Sequence, residues 1–202
     1  MRLAAAAIAL IALVLLALRR LGVPLFLRAS DAFEVTAERA PAAHAALTDL
    51  TLLLDVPRPR LLVTAGAAPV AFAIRCPAFT GVGLAGPLLE RLTPQEVRGA
   101  LALLVALLAG PGDWRRARGP EDWSATDAAA TKLADGAAVT AALFALASSQ
   151  RAPTLSERLL GMLSPDVLAL VPPRPPVVAR IAQLNERGDE GPASPWKRPR
   201  PR

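Results

Sequence analysis

The stretch TPQEVRGALALLVALLAGPG (Thr93 to Gly112) decides the fold. Thr93 can cap a helix, Pro94 suits its first position, and Glu96, three residues after Thr93, completes a capping box. Gly110 and Pro111 stop it. Between these signals, Ala100 to Ala109 contains no polar residue. A helix that is apolar all round is either buried on every side or embedded in lipid. This run is about half of the roughly 20 residues that a spanning helix needs. It is therefore expected to be a central core helix, with the rest of the chain packed around it.

The chain has 202 residues, enough for one ordinary domain with an anchor and a tail. It is 53% hydrophobic and 20% charged, which excludes a chain disordered throughout. The net charge is +6, with much of the excess at the C-terminus. Cys76 is the single cysteine, so no intramolecular disulfide can form. His44 is the single histidine, which restricts metal and acid–base chemistry severely.

The N-terminus, MRLAAAAIALIALVLLALRR, holds sixteen uncharged apolar residues from Leu3 to Leu18. As a helix they would extend roughly 24 Å, a little short of the roughly 30 Å hydrocarbon core. LGVPLFL (Leu21 to Leu27) continues the apolar character beyond Arg19 and Arg20, which can snorkel. A cleaved signal peptide is the competing reading. Arg19-Arg20 and the want of a small-x-small cleavage site favour a retained transmembrane helix. Arg2 precedes the segment, whereas Arg19, Arg20 and Arg28 follow it, so the body is expected on the cytoplasmic side of the inner membrane, tethered by one pass.

Along the body, a helix is expected over about Ala32 to Asp55, with Leu47, Leu50, Leu53 and Leu54 at helical spacing. RLLVTAG, APVAFAIR and FTGVGLAG read as three short strands of a small antiparallel sheet. GPLLERL is a helical turn, followed by the core helix and the loop Gly110–Pro120. Helical pattern returns over Ser124–Ser149, broken near Asp135-Gly136, then in TLSERLLGML (Thr154 to Leu163) and VVARIAQLNERG (Val177 to Gly188). The tail DEGPASPWKRPRPR has no core-forming content.

The order of these pieces resembles the HtpX-like membrane zinc peptidases, the family that includes the CAAX prenyl proteases. VAFAIR (Val70 to Arg75) occupies the place of that family's N-A-F-A strand. GVGLAGPLLERLTPQEVRGALA (Gly81 to Ala102) is similar to the approach to its metal-binding helix. SATDAAATKLA (Ser124 to Ala134) is similar to the helix of its third ligand, and RPPVVARIAQL (Arg174 to Leu184) to its closing segment. The resemblance covers roughly residues 35 to 185. It implies an α+β, mainly helical fold: a minimal zincin-like body with a small three-stranded sheet, preceded by an N-terminal transmembrane helix. The divisions it implies are an anchor over 1–28, a degenerate peptidase-like domain over 30–187 and a disordered basic tail over 188–202.

The family's chemistry needs two histidines one helical turn apart on one zinc ion, a glutamate beside the first, and a glutamate as third ligand. The resemblance puts Leu103 and Leu107 in the histidine places, Leu104 in that of the general base, and Ala125 in that of the third ligand, two residues before Asp127. Val70 replaces the family's asparagine and Arg174 the histidine of the closing segment. It therefore implies a catalytically dead, membrane-anchored pseudoenzyme that has lost zinc and acts by binding or regulation. Two alternatives stand beside it: an active zinc endopeptidase with unrecognised ligands, and an unrelated small helical protein tethered to the membrane.

Outside that site, His44 reads as an ordinary surface residue, Cys76 as a buried structural thiol, and Asp127 as a group that orients neighbouring backbone. Trp114 and Trp123 flank Arg115, Arg116 and Arg118. With Arg19, Arg20, Lys197, Arg198 and Arg200, Trp114, Arg115 and Arg116 are candidate contacts for lipid headgroups or a protein partner in the membrane. The plainer reading of the loop is a solvated turn with partly packed indoles. Next to an anchor, lipid rather than nucleic acid is the natural partner of the basic tail.

Overall fold

The computed structural model describes residues 21–66, 70–76, 79–110, 120–149, 167–169 and 177–188. It is mainly helical with a small mixed sheet. The elements are helix α1 (described over 21–29), β1 (Ala32–Glu34), α2 (Pro41–Leu54), β2 (Arg60–Thr64), β3 (Ala71–Arg75), β4 (Thr80–Ala85), the single turn α3 (Gly86–Leu89), α4 (Pro94–Ala109), α5 (Pro120–Leu133), α6 (Gly136–Ser149), β5 (Val167–Ala169) and α7 (Val177–Gly188).

Helix α4 forms as its sequence signals require. The Thr93 hydroxyl accepts from the Glu96 backbone N–H at 3.3 Å, and the Glu96 carboxylate accepts from the Thr93 N–H at 2.8 Å. Pro94 begins the helix, and the Gly110 N–H closes it on the Ala106 carbonyl. Every residue from Gly99 to Leu107 is buried. Helices α2, α5 and α6 and one face of the sheet surround it. Protein thus encloses the apolar run as far as Leu107, and its last two residues open outward, Leu108 half-buried and Ala109 exposed. Burying each leucine contributes about 1.5–3 kcal/mol.

The sheet differs from the three antiparallel strands expected. It has five strands in the order β1-β2-β4-β3-β5, and β2 runs parallel to β4 while the other pairs are antiparallel. Very short strands carry too little period-2 signal to be read: β1 and β5 are three residues each. The helix expected from Ala32 begins instead at Pro41, because Ala32–Glu34 pairs with Thr64–Leu62 and Val35 donates to the Leu61 carbonyl at 3.0 Å. Asp31 (φ 45°) turns the chain from α1 into β1, and Asp55 (φ 50°) ends α2 in the left-handed conformation that a short polar side chain tolerates.

Alternation splits the strands between two cores. Leu61, Ala71, Ala73, Val82 and Leu84 face α4, whereas Leu62, Phe72 and Ile74 face α1. On the α1 side, Phe72 lies directly over its cross-strand partner Gly83, where any Cβ would fall inside the ring. Phe26 of α1 meets Phe72 edge-on at 5.1 Å between centroids. The boundary expected at residue 28 therefore falls inside a helix that packs on the body.

Among the described residues no helix is long and apolar enough to cross a membrane. The run Leu3–Leu18, the helix expected over Thr154–Leu163 and the basic tail lie outside the described residues.

Candidate functional site

The positions that the resemblance assigns to a metal site lie on α4 and its neighbours. Leu103, Leu104 and Leu107 are each fully buried, in one cluster with Val70, Ala71 and Ala73 of the strand region. Ala125 does not join them. It lies on the exposed face of α5, because it is two residues, or about 200° around the helix, from both Trp123 and Asp127, which point inward. The inward positions of α5 belong to those two residues.

These inward residues form a site that the sequence reading missed. Trp123 and Asp127, one turn apart, receive Arg180 from α7. The Arg180 Nε donates to Asp127 Oδ2 at 2.9 Å and Nη2 to Oδ1 at 2.6 Å. The guanidinium also lies over the Trp123 ring, 4.8 Å from its centroid. The two charged side chains are 1% and 3% exposed. Asp127 thus binds a distant side chain rather than neighbouring backbone, and Trp123 is core rather than loop. The i, i+4 spacing of Trp123 and Asp127 was the available signal. The resemblance marks the segments of both Asp127 and Arg180, but no local pattern pairs the two across 53 residues.

His44 is likewise more than an ordinary surface residue. Its Nε2–H donates to the Val35 carbonyl at 2.7 Å, which leaves Nδ1 to accept from Arg58 Nη2 at 2.6 Å. Both ring nitrogens are used in tying α2 to the segments on either side of it. Cys76 is half-buried, and its Sγ donates to the Phe79 carbonyl at 3.3 Å across the β3–β4 turn.

A groove of about 420 Å³ opens beside this core, between the α2–β2 connection and the C-terminal end of α4. Pro57, Pro59, Val105 and Leu108 give it apolar walls. On its charged wall, Arg75 reaches across to the Leu108 carbonyl at 3.3 Å.

The donor set does not fit zinc. Leucine side chains have no lone pair to give, both Asp127 oxygens are held by Arg180, and both His44 nitrogens are engaged. Among the described residues, no three His, Cys, Asp or Glu side chains are placed to hold a metal ion. Trp114, Arg115, Arg116, Arg19, Arg20, Lys197, Arg198, Arg200 and Arg174 lie outside the described residues.

Over 69 residues, 34% of its length, the chain is 41% identical to the protein named Protease HtpX homolog of Moorella thermoacetica. The match covers 23% of that protein, so the chain spans about a quarter of it. This supports an HtpX-like relationship for part of the chain. No family model matches the chain, and no solved structure matches it.

Proposed function

We propose that the chain is a non-catalytic, membrane-anchored relative of HtpX-like peptidases that keeps a reduced zincin-like body and acts by binding. The observation that carries this reading is the filled centre of α4: Leu103, Leu104 and Leu107, which the resemblance sets in the places of two histidines and a glutamate, are fully buried. Empty ligand positions in a buried site would leave unsatisfied polar groups, at about 1–3 kcal/mol each. Leucine removes that cost and adds apolar burial. The partial likeness to an HtpX homologue supports the ancestry. A single histidine in the sequence denies any two-histidine site within one chain.

In this reading the body faces the cytoplasm beneath the inner membrane, where its partner would be a neighbouring membrane protein. The groove between the α2–β2 connection and α4 would offer such a partner apolar walls from Pro57, Pro59, Val105 and Leu108. Elemental mass spectrometry on the full chain in detergent, beside an active peptidase, tests the proposal. Zinc near zero per chain and no cleavage of an unfolded protein substrate are expected. One zinc per chain, with proteolysis, would overturn it.

A further inference from the structure

Helix α1 has two apolar faces, and the body uses one of them. Helical spacing puts Val23, Phe26 and Leu27 on one side and Leu21, Pro24, Leu25 and Arg28 on the other. Val23 and Phe26 are buried against Leu62, Phe72 and Ile74, with Leu27 packed beside them. The opposite side is open: Leu21 is 53% and Leu25 43% exposed, and Pro24 and Arg28 are exposed with them. Scattered exposed leucines need no explanation. This stripe is distinguished by what precedes it, the uncharged run Leu3–Leu18 and the pair Arg19-Arg20, which end one residue before Leu21.

We infer that the outer face of α1 rests on the bilayer surface, with Leu21 and Leu25 at the boundary of the acyl chains and Arg28 on anionic headgroups. The inference rests on the reading of the N-terminal run as a membrane segment. The α1 layer would then lie between the bilayer and the sheet, with α4 and its surrounding helices on the far side. Amphipathic helices bind in this way, with an apolar face at the acyl boundary and basic side chains reaching the headgroups. An arginine near an anionic leaflet is drawn to it by charge. A protein partner is the weaker occupant, because four side chains on one short helix fall far below the roughly 20–30 residues a side of a stable interface.

The test uses the full chain with Cys76→Ser, whose hydroxyl can still donate to Phe79, carrying one nitroxide label at Leu25→Cys or at Leu52→Cys. Leu52 is 75% exposed on α2, on the opposite side of the sheet. Each labelled chain is reconstituted in vesicles of phosphatidylcholine and phosphatidylglycerol, floated, and examined for collision with oxygen and with a water-soluble nickel chelate. The expected result is flotation of both chains, with the label at position 25 favouring oxygen severalfold more than that at 52. Flotation with equal nickel access at the two positions would overturn the resting face and leave the anchor standing. A label at 25 shielded from both reagents would mean that protein, a second copy included, covers the face, and would also overturn the inference. Failure to float would overturn the anchor and the face together.

Discussion

Arg180 and Asp127 stand 53 residues apart in sequence and meet through two parallel hydrogen bonds, at 2.9 and 2.6 Å, beneath the Trp123 ring. A forked arginine–carboxylate pair fixes direction as well as distance, so it sets how α7 docks on α5. A buried pair of this kind is not by itself a large source of stability, since desolvation offsets much of the attraction. Its loss on one side only is costly. Asp127→Ala leaves the guanidinium without the carboxylate that it is forked to, and is expected to destabilise the chain by about 3–5 kcal/mol. The double change Asp127→Ala with Arg180→Met should cost markedly less than the sum of the singles in denaturant unfolding. Additive costs would show that the two residues do not act as a unit.

The leucines at the centre of α4 give the second expectation. Leu107 is fully buried within the main hydrophobic cluster. Leu107→Ala should cost about 2–5 kcal/mol, the range for deleting a large aliphatic side chain from a close-packed core. A cost under about 1 kcal/mol would mean that a hollow remained there, as in a cleft only partly filled. The same measurement on the exposed Leu52, at 75% exposure, should show a change within about 0.5 kcal/mol.

Two glycines that look alike in sequence should respond in opposite directions. At Gly99 a Cβ would meet the Ala138 backbone, 2.7 Å from its carbonyl carbon, so α4 and α6 approach each other there through a position that only glycine allows. Gly99→Ala is expected to destabilise by about 1–3 kcal/mol although alanine is the better helix former. At Gly136, in the first turn of α6, an added Cβ would meet nothing within 4 Å. Gly136→Ala should be neutral or stabilise by about 0.4–1 kcal/mol. Thermal unfolding of both variants side by side checks the contrast.

What the sequence discloses follows from where its signals are local. The capping box of Thr93 and Glu96, the stop at Gly110, the break before Gly136 and the last helix from Val177 are all written within a few residues, and the structure has them. Strand β1 was unreadable, because AFE carries no alternation of its own and is extended only through pairing with Thr64–Leu62. The parallel pairing of β2 with β4 was equally hidden, since register between strands separated by a third is a tertiary choice. At the candidate site, burial of the leucines was legible from the unbroken apolar run. The orientation of α5 was not: its helical pattern left open which face turns inward, and Ala125 turned outward while Trp123 and Asp127 took the core. Arg180 was invisible as a core residue, because an arginine on a short helix that also carries Glu186 and Arg187 reads as solvated until a buried carboxylate is found for it.

The capping box also makes the start of α4 sensitive to acid. The Glu96 carboxyl is held below its ordinary value, first by the Thr93 backbone N–H and then by the Thr93 hydroxyl, with slight burial acting the other way. A carboxylate whose pKa is lower folded than unfolded stabilises the folded chain fully above the ordinary glutamate value, near 4.3. That contribution fades as pH falls below this value and through the lower folded one. Thr93→Ala removes the hydroxyl that caps the Glu96 N–H and should cost about 0.5–2 kcal/mol at neutral pH. Glu96→Gln retains an oxygen that can accept from Thr93 but has no proton to bind. The stability difference between the natural chain and Glu96→Gln should therefore be constant from neutral pH down to about 5 and shrink below it. Unfolding curves for both chains in the same buffers across this range decide the matter. A difference that grew on acidification would mean that the folded chain holds the protonated form of Glu96, and would remove the capping hydrogen bonds as the source of the shift.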